Sequence, residues 1–385
     1  MSRTGTLAPT RTRRVRWAAA GAATCGAAIA LAAPAAAAPA AAGPAAAGSR
    51  TGPSAPTAYV VNATGTVTPV DTATNTAGPA IPVAAGPGAI AITPDGTAAY
   101  VVGQNAVTAI DTATNTVTAT IRAGYEPKAI AITPDGATAY IANYGSSTVT
   151  PIHTATNIAG RPVKLTASDH PVTIAVTPNG RTVYVSGYGD AVTPIRTATN
   201  KPETPIGVGH YPIAIAIMPG GKKAYVAGDD ANTVTPINTV TNTAGKPITV
   251  GAPTAIAITP NGATAYVLSV FQGMVTPVNT ATNRPARAIR VGTSAGVLGI
   301  DPNGTKVYVL DQFNGTVTPI NTATNRAGTP MSVADPAGIA FTPDGTTAYV
   351  TDYDQGTVTP IDTATNTPGT PVPVGSDPGA IAIAP

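Results

Sequence analysis

From residue 57 onward, apolar and polar positions alternate in short runs, and Gly, Pro, Asn or Asp closes each run. Alternation of period two between turn residues predicts strands. Four segments recur in fixed order. They are AIAITPDG (residues 129–136), AYIANYG (139–145), TVTPIDTATN (357–366) and PITVG (247–251), denoted strands a, b, c and d with their loops. AIAI alternates small and large apolar side chains, as suits a strand packed near a tapering centre. The Pro-Asp-Gly or Pro-Asn-Gly after it is a turn signal, with glycine taking positive φ. The β-branched Thr-Val-Thr favours a strand, and the oxygens of Asp-Thr-Ala-Thr-Asn suit a turn. Strand d is short and carries Pro and Gly, which fits an outer edge.

Counting the repeats sets the architecture. The b-strand tyrosine occurs eight times: Tyr59, Tyr100, Tyr140, Tyr184, Tyr225, Tyr266, Tyr308 and Tyr349. The asparagine closing TATN (once TVTN) also occurs eight times, from Asn75 to Asn366, at intervals of 40 to 43 residues. That is the span of a four-stranded propeller blade. The repeats begin with strand b near Ala58 and end with a lone strand a at 380–385. The expected fold is an all-β, single β-propeller of eight four-stranded blades, with seven as the alternative. The C-terminal strand completes the N-terminal blade and so hides two sheet edges. One feature conflicts with this reading. Seven c strands contain a proline (Pro69, Pro151, Pro194, Pro236, Pro277, Pro319 and Pro360), while blade 2 has Ala109. Proline cannot donate to a ladder, so a bulge or an earlier end to pairing is expected there.

Composition agrees with many short strands and tight turns: 40 Gly, 39 Pro, 43% hydrophobic and only 10% charged residues. The net charge of +3 is misleading, because Arg3, Arg11, Arg13, Arg14 and Arg16 crowd the N-terminus. The remainder has 16 basic and 18 acidic residues. A basic nucleic-acid surface is therefore not indicated. The basic stretch RTRRVRW precedes an apolar run from Ala18 to about Ala33 and small residues near Ala36–Ala38. This order reads as a cleaved export signal over 1–38, with Arg13-Arg14 as a partial twin-arginine pair. An Ala/Gly/Pro-rich leader follows over 39–56, then the propeller over 57–385. The expected location is secreted or at the cell surface. Cys25 is the only cysteine and lies in the signal, in a poor context for lipidation. The propeller region then has no thiol. No later stretch is long and apolar enough to span a bilayer.

The run Tyr349-Val350-Thr351-Asp352, the segment GTVTPIDTATN at 356–366, the PDG turns and the IxVG outer strands resemble the YVTN-type β-propeller repeat family. The resemblance covers nearly all of residues 57–385. It implies a propeller of exported or surface proteins, and most such members have no defined activity. Seven blades are usual in such propellers, so eight here is a departure.

Strands alternate in direction, so a–b and c–d loops share one face, and b–c and d–a loops the other. The first set is nearly identical in every blade, as folding alone would require. The second set varies, so a specific function is expected there. The d–a loops of blades 3 to 5 read GYEP, SDHP and GHYP, carrying Tyr125, Glu126, Asp169, His170, His210 and Tyr211. The adjoining b–c loops add Tyr144, Tyr188, Asp190, Asp229 and Asp230. Such a carboxylate–histidine–tyrosine group suits a sugar, a peptide or a cation, against the plainer alternative of solvated loop residues. Two histidines without a spacing motif make a weak case for a metal. His153 lies on the uniform face. GTSAG at 292–296 matches G-x-S-x-G, but Ser294 falls between two strands, where that chemistry needs a strand, a turn and a helix.

No cofactor is indicated. There is no CxxCH for haem attachment, no phosphate loop, and no tryptophan beyond Trp17. Three histidines are too few for a multinuclear copper site. The leading functional reading is a non-catalytic extracytoplasmic binding or scaffold propeller whose partner is a cell-envelope protein or saccharide. The alternatives are a lactonase-like hydrolase using Glu126, Asp169, His170 and His210, and a structural surface-layer component.

Overall fold

The protein is described from a computed structural model, which covers residues 56–165 and 170–385. The signal over 1–38, with Cys25, and all but Pro56 of the leader lie outside the described residues. Eight small antiparallel sheets form an eight-bladed β-propeller. Blade 5 is typical: strand a is Pro212–Ile217, b is Lys223–Gly228, c is Thr233–Asn238, and d is Thr243–Ala244 plus Ile248–Thr249. Strand a of each blade lies against strand a of the next, and the last lies against the first.

The ring closes as the repeat phase predicts. The C-terminal strand Pro378–Ile383 pairs with Thr57–Asn62, with Ala58 opposite Ile383 and Val60 opposite Ile381. Burial explains why closure matters. Strands b are almost wholly buried, and each apolar cluster joins two consecutive blades. Tyr225, Val234 and Val250 of blade 5 pack with Ala265, Val267 and Val278 of blade 6. Ala58, Val60 and Val70 of blade 1 pack with Tyr349, Val358 and Val372 of blade 8. At about 1.5–3 kcal/mol for each large side chain removed from water, each blade draws much of its stability from both neighbours.

The b-strand tyrosines and the TATN asparagines are partners across blades. Each tyrosine hydroxyl donates to the asparagine Oδ1 of the following blade over 2.5–2.9 Å: Tyr59 to Asn115, Tyr140 to Asn200, and so on to Tyr349, which reaches Asn75 and closes the circle. All eight asparagines have φ between 50° and 56°. Asparagine tolerates this left-handed conformation better than most residues and also supplies the acceptor. One residue type meets both requirements.

The proline conflict resolves as an end to pairing on one side of the strand only. Pairing of b with c runs unbroken through the proline, as Tyr140 opposite Pro151 shows. The break falls on the other side. Each c-strand proline carbonyl accepts a loop N–H, as from Gly160 to Pro151 over 2.7 Å, so the missing N–H faces strand d. Strand d is accordingly cut into two-residue pieces in seven blades. In blade 2, Ala109 restores the donor, and d forms one strand over Thr116–Ile121, with Ala109 opposite Ala119 and a register shift between Ala109 and Ile110. The blades are therefore four-stranded in plan, with an interrupted edge in seven of them.

Candidate functional site

Backbone hydrogen bonds join the loops in the two sets inferred from strand direction. On the uniform face, Thr112 N–H donates to Thr97 O over 3.1 Å, linking a c–d to an a–b loop. On the variable face, Tyr144 N–H donates to Glu126 O over 2.9 Å, and Asp229 N–H donates to Tyr211 O over 3.0 Å. The d–a loops are thus held by the b–c loops of the same blade. Their last residues are strained: φ is 49° at Glu126, 23° at His170 and 52° at Tyr211. A left-handed non-glycine residue costs roughly 1–2 kcal/mol, and these loops adopt it in three adjacent blades.

This backbone brings most of the sequence-selected residues of blades 3 to 5 together. Tyr144 stacks at a tilt on His170, with ring centroids 5.0 Å apart, and meets Tyr188 edge-on at 5.5 Å. Tyr188 lies 5.0 Å from Tyr211, and Tyr211 lies 4.6 Å from His210. A continuous aromatic row therefore crosses three blades. His170 Nδ1 lies 3.1 Å from Tyr144 O, which fixes its ring. His210 sits between two carboxylates: Nδ1 hydrogen-bonds Asp190, and Nε2 is 4.0 Å from Asp230. Asp229 is half-buried, and burial first, then the Asp230 charge, raises its pKa above the usual carboxylate value. Lys128, on strand a of blade 3, places Nζ 5.9 Å from the Tyr144 ring centroid.

Tyr125 stands apart from the row and is 59% exposed. Its ring rests on Gly145, where a Cβ would stand 2.8 Å from Cε1 and closer still to Cδ1, so any larger residue there would have to displace the ring. Glu126 contributes a backbone carbonyl to the loop pairing. Asp169 lies outside the described residues. Among those described, no hydrogen bond joins the side chains of Glu126, His170 and His210. No group of three His, Cys, Asp or Glu side chains among them is placed to hold a metal ion. Ser294 precedes a strand, Ala295–Ile300, and its N–H points to Asp311 Oδ2 at 3.4 Å. His153 is exposed at the end of a c strand on the uniform face.

Sequence reasoning missed the extent of this face. Every tyrosine or phenylalanine in the described loops lies on it: Tyr125, Tyr144, Tyr188, Tyr211, Phe271, Phe313 and Tyr353. The loops of the opposite face contain none. Phe271 and Phe313 are 69% and 79% exposed. Sorting the aromatic residues by loop register would have found them. Among the described residues, no helix is long and apolar enough to cross a membrane.

No protein-family model and no curated protein matches the chain. Solved structures do. Dihydro-heme d1 dehydrogenase NirN, in complex with DHE, is similar with a TM-score of 0.75 at 15% identity, over 84% of this chain and 74% of that one. Kuenenia stuttgartiensis hydrazine synthase gives 0.59 at 21% identity, over 71% and 95%. A functionally unknown protein from Desulfotomaculum acetoxidans gives 0.62 at 17% identity, over 85% and 98%. At these identities the likeness concerns the fold.

Proposed function

We propose that this chain is a non-catalytic binding or scaffold propeller, of the YVTN repeat type, that works outside the cytoplasm and engages a cell-envelope partner with its b–c/d–a face. One observation carries the reading: loop aromatics are confined to that face, while the loops of the opposite face repeat a nearly identical turn chemistry. Solvent-facing turns do not need tyrosine or phenylalanine, and binding surfaces are enriched in both. The loop pairing and the left-handed residues hold the row in a fixed shape, which lowers the ordering cost of binding. The export reading rests on the N-terminal pattern and is tested by fractionation and N-terminal sequencing of the processed protein. A mature N-terminus before residue 30 would count against it.

The His210–Asp190 pair favours a second reading, a propeller hydrolase in which His210 acts as base. A thermal-shift screen against saccharides, peptides and divalent cations tests both. A ligand that binds only the native state stabilises it by about 2.7 kcal/mol at a hundredfold excess over Kd. The binding reading expects a shift that is lost in Tyr188→Leu. Turnover of a lactone or ester that is lost in His210→Gln would favour the hydrolase. A ligand shift unaffected by Tyr188→Leu would move the site off this face.

A further inference from the structure

We infer that the partner docking on this face is a cationic polypeptide segment, one that presents lysine or arginine side chains, and that blades 3 to 5 are where it seats. The inference rests on the binding reading above and names the chemistry of the ligand. Its first support is charge complementarity at the scale of the whole face. The described residues of the b–c and d–a loops contain seven carboxylates and a single basic residue, Arg122. The loops of the opposite face contain four carboxylates and two basic residues, and the strand ends that flank them add Asp71, Asp111 and Asp362 against Arg196, Lys223 and Lys306. The acidic excess thus coincides with the aromatic face. A neutral saccharide would leave that charge without a counterpart, and an anionic chain would be repelled.

The second support is geometric and independent of charge counting. The protein's own side chains already mark the two kinds of position that a cationic segment would use. Lys128 Nζ lies over the face of Tyr144 at 5.9 Å from the centroid, which is cation–π geometry. His210 lies between Asp190 and Asp230. Tyr188 and Tyr211 continue the same row, and Asp229 stands half-buried beside it. Among the described residues, the Asp229 side chain has no hydrogen-bond partner, and burial and Asp230 both disfavour its charge. An incoming guanidinium supplies donors and a compensating charge there, and its plane stacks on tyrosine.

The test is fluorescence anisotropy of a labelled hexa-arginine peptide with the full chain. Two double variants remove the same charge. Asp229→Asn with Asp230→Asn removes it from the site. Asp71→Asn with Asp362→Asn removes it from the uniform face, where the repeat already carries Asn238, Asn279 and Asn321 at the equivalent position. The inference expects the first pair to weaken binding tenfold or more, the second to change it less than twofold, and added salt to weaken the wild type. Equal weakening by both pairs would mean bulk charge attraction and would overturn it, as would no weakening by the first. A neutral cello-oligosaccharide that binds in a Tyr188-dependent manner, with no peptide binding, would overturn the cationic ligand and leave the binding reading standing. Self-association abolished by the first pair would assign the face to a second copy of the chain instead. If neither probe binds, and no ligand of the thermal-shift screen depends on Tyr188, both inferences fall.

Discussion

Removing one hydroxyl between blades 3 and 4 tests how the ring is held together. Tyr140 is 1% exposed, and its hydroxyl donates to Asn200 Oδ1 over 2.7 Å. Tyr140→Phe keeps the ring, which packs with Val183, Val185 and Ile195. It leaves the Asn200 oxygen half-exposed, where water can replace the lost donor. The cost is therefore that of one net hydrogen bond, about 0.5–1.5 kcal/mol, rather than that of a buried orphan. Asn200→Gly removes the acceptor while tolerating φ of 50°. Its side effect on unfolded-chain entropy cancels in a double-mutant cycle. Urea unfolding of the wild type, both single variants and the double should give a coupling of about 1 kcal/mol. Eight such bonds then contribute about 8 kcal/mol, comparable to the whole net stability of an ordinary domain. A coupling within about 0.3 kcal/mol of zero would refute the argument and reduce the tyrosine–asparagine pairs to packing.

Deleting residues 379–385 should cause aggregation or a large fall in melting temperature, because the edge of Thr57–Asn62 loses its partner; an unchanged melting temperature would contradict closure by this strand. Alkaline stability follows from the same tyrosines. Burial, assisted at several positions by a nearby carboxylate, holds Tyr59, Tyr140, Tyr184, Tyr225, Tyr266 and Tyr349 at a pKa of about 12, against 10.0 ordinarily. Their contribution is fully present below pH 10 and is lost as pH rises toward 12, because only the unfolded chain ionises there. Melting temperatures should fall steeply across that window, in step with the appearance of tyrosinate absorbance. Ala109→Pro should cost little, under about 1 kcal/mol, because the lost donor faces the outer strand, and hydrogen exchange should quicken only at residues 117–120; global destabilisation would refute the account of the interrupted edges. Gly145→Ala should displace Tyr125, detectable as a change in tyrosine fluorescence without a change in fold.

The blade number, the phase of the ends and the closing strand were legible because each follows from counting local signals: one tyrosine, one asparagine and one turn per repeat. What counting could not supply was pairing. Tyr59 and Asn115 stand far apart in sequence, in segments that each look complete, so nothing local shows that the hydroxyl of one blade feeds the turn of the next. The side on which the prolines break pairing was hidden for a related reason. Their effect depends on which neighbouring strand the missing N–H faces, and that is a property of register. At the candidate site, loop identity and facing direction were readable from strand alternation. The contact of Tyr144 with His170, and the capture of His210 between Asp190 and Asp230, required coordinates, because they join loops of adjacent blades. Lys128 was hidden by its position on a strand, where a lysine reads as an ordinary polar alternation.

Hydrogen exchange read by mass spectrometry, with and without the hexa-arginine peptide, tests the central claim most directly. The account predicts slower exchange confined to the b–c and d–a loops of blades 3 to 5, at residues 122–128, 144–147, 188–190, 208–211 and 229–232. Protection spread over the repeated a–b and c–d turns, with none at these loops, would contradict it.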